Sequence, residues 1–151
     1  LGAGQLGRML GLAGRALGTP TLLYALPGSA AAPAERLQPH AACPVVAAAS
    51  GDPAGHDLIV HATPLGLHAD DPLPFDVARL DSSATVIDIL MKPQPTPLQH
   101  ACDRRGIVCH PGFEMLAQQV PDYLKFFGYP EIAAAVQGDL DPVRRSLRAL
   151  V

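Results

Sequence analysis

Three short apolar runs constrain the fold of this chain more than any other feature. They are Asp57-Leu58-Ile59-Val60-His61-Ala62-Thr63, Thr85-Val86-Ile87-Asp88-Ile89-Leu90 and Ile107-Val108-Cys109. Runs this apolar and this short read as strands covered on both faces, the pattern of a parallel sheet. Helical segments follow them. Residues 96–105 predict a helix stopped by Gly106. Residues 112–127 predict another, with Phe113, Leu116, Val120, Leu124 and Phe127 on one face and Pro121 bending it. Pro130 opens a short helix that Gly138 closes, and Asp141 and Pro142 read as the cap and first position of a last one. Upstream, residues 21–25 read as a buried strand, 27–42 as at most a weak helix and 44–47 as an edge strand. Strands alternating with helices predict an α/β fold over 1–151, a Rossmann-like parallel sheet with helices on both faces. Its first strand is cut short at Leu1.

Composition narrows the functional classes. The 151 residues are 48% hydrophobic and 17% charged, too apolar for a disordered polyelectrolyte. A net charge of −3 argues against nucleic acid as a partner. No apolar run reaches the ~18 residues of a membrane span, and no signal peptide is visible. Cys43, Cys102 and Cys109 form no C-x-x-C pair, so the expectation is a reducing, cytoplasmic setting without a zinc site.

The chain opens on Gly2-Ala3-Gly4-Gln5-Leu6-Gly7, a Gly-x-Gly-x-x-Gly string. Leu6, Met9, Leu10, Ala13 and Leu17 then recur at helical spacing until Gly18. Glycine at the first position permits a tight turn, at the second a close approach to a pyrophosphate, and at the third close helix packing. The helix N-terminus offers free N–H groups to phosphate oxygens. The second-strand acid that would bind ribose hydroxyls is missing. Tyr24-Ala25-Leu26-Pro27-Gly28 stands there, with no arginine for a 2′-phosphate, so NADP and NAD both stay open.

Three later segments carry a family resemblance. His61-Ala62-Thr63-Pro64-Leu65-Gly66 resembles the N-A-T-P-L-G strand end of shikimate dehydrogenases. Asp88-Ile89-Leu90-Met91-Lys92-Pro93, followed by Thr96-Pro97-Leu98, resembles their D-x-x-Y-x-P…T-x-L segment. Gly112-Phe113-Glu114-Met115-Leu116-Ala117-Gln118-Gln119 resembles their G-x-x-M-L-x-x-Q segment. The order and distances fit over about 45–128, and the opening turn fits the family's G-A-G-G-x-G. The first 25 residues also look like the start of the ATP-grasp carboxylase of purine synthesis, a likeness without support downstream.

The resemblance implies the nucleotide-binding domain of an oxidoreductase that reduces 3-dehydroshikimate to shikimate with NADP or NAD. Gly2, Ala3, Gly4, Gln5, Leu6 and Gly7 would wrap the pyrophosphate. Thr63, Ile89 and Gly112 would line the cofactor pocket. Met91 and Gln119 would face the substrate, a shikimate-like hydroxy acid, with Gln119 near the N-terminus of its helix. His61 replaces a usual asparagine and Met91 a usual tyrosine, which points to a divergent subgroup, with quinate as another substrate. The family's catalytic Lys and Asp belong to an N-terminal domain absent from this chain, so the chain has no catalytic residue of its own and is expected to be inactive alone. The helices from about 112 to 151 would pack back toward that domain. A non-catalytic nucleotide-binding or interaction module is the alternative.

Other residues read more plainly. His56, His61 and His68 are spaced across a strand and a loop and are not expected to converge on a metal. His110 reads as a hydrogen-bonded structural histidine. Asp70 and Asp71 read as a solvated turn. Asp88, buried in mid-strand, needs partners and reads as structural. Met115 reads as core. Arg104, Arg105, Arg144, Arg145 and Arg148 read as solvated helix charges.

Overall fold

The computed structural model describes residues 9, 12–14, 16–23, 45–47, 51–68, 70–91 and 95–149. The glycine turn at 2–7 and the weak helix at 27–42 lie outside the described residues.

Two parallel arrangements of strands are present, as an α/β chain of this pattern requires. Strand β1 (Thr21–Leu23) pairs with β2 (Val45–Ala47), with Thr21 opposite Val45. Strand β4 (Thr85–Asp88) lies between β3 (Leu58–His61) and β5 (Val108–His110), parallel to both. The ladder runs on past the paired residues, because Thr85 N–H donates to the Asp57 carbonyl at 2.9 Å and Ile89 N–H to the His61 carbonyl at 3.2 Å.

The register of β3 on β4 decides what the sheet carries. Ile59 sits opposite Val86 and His61 opposite Asp88. Side chains two apart on a strand share a face. So Ile59 and Val86 form an apolar pair, and His61 and Asp88 form a polar pair one step nearer the carboxyl ends. The apolar pair lies in the core with Val77, Leu80, Ala84, Leu98, Ala101, Cys102 and Ile107. A 3-10 turn (Val77–Arg79) supplies Val77, and its cap Asp76 accepts from Ala78 N–H at 2.9 Å.

Helix α1 (Pro97–Asp103) supplies Leu98, Ala101 and Cys102. Its start is a reciprocal cap. The Thr96 hydroxyl accepts from Gln99 N–H at 3.1 Å, and the Gln99 side-chain oxygen accepts from Thr96 N–H at 3.1 Å. Gly106, at φ +67°, ends it as expected.

Helix α2 (Gly112–Phe126) runs through Pro121 without a break. Its buried line is Phe113, Ala117 and Pro121, at i, i+4 and i+8. This corrects the sequence expectation. Phe127 is 68% exposed, and Leu116, Val120 and Leu124 are only half-buried. The packed stripe is one position over, and Pro121 is buried on it. Helix α3 (Pro130–Gly138) packs on α2 through the fully buried Ala133.

Helix α4 (Asp141–Arg148) also packs on α2. Here Leu140 is the cap residue and Asp141 the first helical position, one residue earlier than Asp141 as cap would give. Arg144 Nε reaches both oxygens of Glu114 at 3.0 Å, and its Nη1 donates to Asp141 at 2.8 Å. The Arg148 guanidinium lies 5.3 Å from the centroid of the Phe113 ring. These two arginines are therefore not free solvated charges. They tie the last helix to the first turn of α2, where a carboxylate at the positive end of the helix dipole is already favoured.

Near the start of the described chain, Leu17 N–H donates to the Ala13 carbonyl at 3.0 Å and Gly18 stops the helical turn at φ +69°. Met9 and Leu17, expected on an apolar face, are 58% and 80% exposed.

Candidate functional site

The carboxyl ends of β3 and β4 hold a buried polar cluster in an otherwise apolar interior. Asp88 is fully buried, His61 is 2% exposed, and Thr63 and Thr96 are buried beside them. Asp88 can only accept, so His61 Nδ1 donates to its Oδ1 at 3.0 Å. The second Asp88 oxygen accepts the Thr96 hydroxyl at 2.5 Å, and Leu90 N–H adds a third donor at 3.2 Å. With Nδ1 protonated, the neutral imidazole leaves Nε2 as acceptor for the Thr63 hydroxyl, at 2.7 Å. The Thr63 oxygen in turn accepts Leu65 N–H at 3.3 Å. Every hydroxyl and ring nitrogen of the cluster has a partner in this assignment.

Burial acts to raise the Asp88 carboxyl. The hydrogen bonds from His61, Thr96 and Leu90 outweigh it and hold the group below the ordinary carboxylate range. Asp88 thus serves as the anchor of the strand ends, in line with its structural reading. Among the described residues, Gln99 Nε2 is the buried side-chain polar atom left without a partner.

The loop after β3 is pinned separately. Asp71 accepts from Gly66 N–H at 2.9 Å and His68 N–H at 3.0 Å, and these backbone bonds lower its carboxyl. Asp71 is therefore a loop staple, while Asp70 is the exposed member of the pair. Gly66 has φ +101°, a conformation that favours glycine.

Among the described glycines, Gly112 makes the closest approach to its surroundings. A Cβ there would sit 2.4 Å from the Ile89 carbonyl oxygen and 2.7 Å from that of Leu90. No side chain fits, and the N-terminus of α2 therefore abuts the backbone that leaves β4. Two expected cofactor-lining residues, Ile89 and Gly112, are in this way brought together, and Thr63 lies two residues past the end of the neighbouring strand β3. Met91 is half-buried just beyond them.

Gln119 is placed differently from expectation. It is the eighth residue of α2, about 10 Å along the axis from Gly112 at 1.5 Å per residue, so it lies in mid-helix. Its side-chain oxygen accepts from the Tyr123 hydroxyl at 2.9 Å. Gly2, Ala3, Gly4, Gln5, Leu6 and Gly7 lie outside the described residues.

His110, expected to be structural, is exposed at the end of β5. Among the described residues no three His, Cys, Asp or Glu side chains gather as a metal ion needs, and no helix is long and apolar enough to cross a membrane. Cys102 is in the core. The hydrogen bond it shares with Cys109, together with burial, pushes the Cys109 thiol up and away from nucleophilic chemistry.

No protein-family model matches the chain. A shikimate dehydrogenase (NADP(+)) of Acidiphilium cryptum is 41% identical over 76 residues, which is 50% of this chain and 28% of the relative. One of Methylocella silvestris is 36% identical over 90 residues, 56% of this chain and 32% of the relative. Among solved structures, the quinate dehydrogenase of Corynebacterium glutamicum in complex with NAD has a TM-score of 0.72 at 26% identity, covering 98% of this chain and 53% of that one. The chain is similar in sequence and fold to shikimate and quinate dehydrogenases. A 5-ketofructose reductase of Gluconobacter shares the fold, with a TM-score of 0.71 at 19% identity. The architecture is Rossmann-like α/β. The matched region spans about a third or less of the curated relatives, and the chain about half of the related structures.

Proposed function

We propose that this chain is the cofactor-binding part of a shikimate or quinate dehydrogenase-like oxidoreductase that uses NADP or NAD. The carrying observation is the junction of β4 and α2. There Gly112 leaves room for nothing larger than hydrogen against the Ile89 and Leu90 carbonyls, at the carboxyl ends of parallel strands where α/β sheets take ligands. The likeness in fold to the quinate dehydrogenase covers 98% of this chain.

In this reading, the dinucleotide supplies hydride transfer. Gly2, Ala3, Gly4, Gln5, Leu6 and Gly7 take its pyrophosphate. Thr63, Ile89 and Gly112 form the wall at its nicotinamide end. Gln119 offers an amide that both donates and accepts toward a hydroxylated substrate, once its bond from Tyr123 rearranges. Met91 contributes an apolar contact in place of a hydroxyl. No described side chain of the junction is a free acid or base, since Asp88 and His61 are committed to each other, so the 151-residue chain alone does not turn over. The remaining half of the related enzymes corresponds to a second domain, toward which α2 to α4 would pack. We place the protein in the cytoplasm, with a small hydroxy acid as substrate rather than nucleic acid or membrane. A non-catalytic nucleotide-binding or interaction module is the second reading, favoured by Met91 and the second-strand departure.

A thermal-shift series with NAD, NADP and ATP separates the readings. A rise in melting temperature with a nicotinamide dinucleotide supports the proposal. No shift with any of the three overturns it, and a shift with ATP alone revives the carboxylase likeness of the first 25 residues. Reduced cofactor accumulating with shikimate above a protein-free blank contradicts the predicted inactivity.

A further inference from the structure

We propose that His61 is a positioning residue of the candidate dinucleotide site, acting through the Thr63 hydroxyl on the turn that follows β3. The proposal rests on the cofactor-binding reading above and adds a residue role to it. One chain of hydrogen bonds carries it. Asp88 is held from one side by Thr96 and Leu90 N–H, and from the other it accepts His61 Nδ1–H. The imidazole is thereby fixed in rotation and tautomer. Its Nε2 then accepts the Thr63 hydroxyl proton, which commits the lone pairs of that oxygen to the turn, where Leu65 N–H uses one.

A hydroxyl rotates freely unless something fixes it, and here the fixed acceptor is His61. The direction of the whole chain is set by the carboxylate, because Asp88 offers no proton. Thr63 lies two residues past the end of β3, whose last residue His61 is in register with Asp88, and Asp88 is followed directly by Ile89 of the Ile89–Gly112 junction. Two polar side chains with no solvent contact are costly to bury, and they are retained at the strand ends instead of the apolar residues that fill the sheet below them. The arrangement has the form of buried support for a ligand-facing turn, in which Asp88 and His61 fix Thr63, itself buried, and Thr63 fixes the turn through Leu65 N–H.

The test is a set of four variants of the 151-residue chain: Thr63→Val, Thr63→Ser, His61→Ala and the double variant His61→Ala/Thr63→Val. Dissociation constants for NAD and NADP are measured by calorimetry. Thr63→Val keeps the side-chain shape, so it reports on binding even where His61→Ala unfolds the chain. Thr63→Val is expected to weaken dinucleotide binding by about tenfold and Thr63→Ser by less than about threefold. The double variant is expected to be no weaker than the worse single one, because both break the same chain. Nitrogen NMR of the wild-type ring is expected to show the neutral form with the proton on Nδ1.

Unchanged binding in Thr63→Val, additive losses in the double variant, or a neutral ring protonated on Nε2 each overturn the role given to His61. A wild-type chain that binds neither dinucleotide overturns the cofactor reading and this inference with it. That result is distinguished from the others because it precedes any substitution.

Discussion

Replacing Asp88 by alanine removes the one group on which the strand ends converge. The carboxylate is fully buried and accepts three hydrogen bonds, from His61 at 3.0 Å, Thr96 at 2.5 Å and Leu90 N–H at 3.2 Å. A buried donor stripped of its acceptor costs about 1–3 kcal/mol. The three donors share one cavity and relax together, so the expected loss for Asp88→Ala is about 3–5 kcal/mol rather than the sum. Asp88→Asn behaves differently. The amide oxygen still accepts from His61 and Leu90, and the amide nitrogen donates to the Thr96 oxygen if that hydroxyl turns. The loss is then confined to the charge-assisted part of the bonds, about 1–2 kcal/mol. Urea unfolding followed by circular dichroism at pH 7 reads both. With a slope near 2 kcal/mol per molar, Asp88→Ala lowers the midpoint by about 2 M and Asp88→Asn by less than about 1 M. The pH series adds a sign. The carboxyl is lowered in the fold, so its contribution is complete above the unfolded value near ~3.9 and is lost as pH falls through the lower folded value. Asp88→Asn flattens that part of the acid limb. An alanine variant within about 0.5 kcal/mol of wild type refutes the account of the cluster.

Gly112→Ala places a methyl group 2.4 Å from the Ile89 carbonyl oxygen, and the backbone at the strand end has to move. A loss of at least about 1–3 kcal/mol is expected in the same unfolding assay, and a variant of unchanged stability contradicts the close approach. Arg144→Ala releases α4 from Glu114, where the partly exposed pair contributes only about 0.5–1 kcal/mol. Amide exchange over 141–149 is expected to accelerate while that of β3 and β4 stays unchanged, and uniform acceleration argues against a local tie. Asp52 receives two hydrogen bonds from Arg79, at 2.8 and 2.6 Å, which lower its carboxyl to about 2. Carboxyl NMR is expected to show that low titration, and Arg79→Ala to return it toward the usual range.

The strands and the helices after residue 57 were legible because their signals are local. Apolar runs bounded by glycine and proline and the Gly106 stop each act within a few residues. The packed stripe of α2 was misread because periodicity alone admits two neighbouring stripes. The choice is made by what α3 and α4 place against the helix, and that information is tertiary. Arg144 and Arg148 looked like surface charges for the same reason, since Glu114 and Phe113 lie some 30 residues away in sequence. Asp88 was legible as a group in need of partners, and His61 as a departure from a family pattern. Their pairing was not, because it depends on the register of β3 on β4. That register places residues 61 and 88 side by side on one face. Gly112 stood in the family motif, but only the carbonyls of Ile89 and Leu90 show why a side chain is excluded there. Gln119 falls in mid-helix already in the 112–127 span that the sequence predicts, so its placement near the helix start came from the family motif beginning at Gly112 and not from the helix itself.

The central claim is that a nicotinamide dinucleotide lies against the carboxyl ends of β3 and β4 and the start of α2. Amide NMR of the chain during titration with NADP and with NAD tests it most directly. The account predicts saturable shifts concentrated at Thr63, Ile89 and Gly112, with the resonances of α4 unmoved. Shifts scattered over the surface, or none at concentrations of either dinucleotide that saturate related dehydrogenases, contradict it.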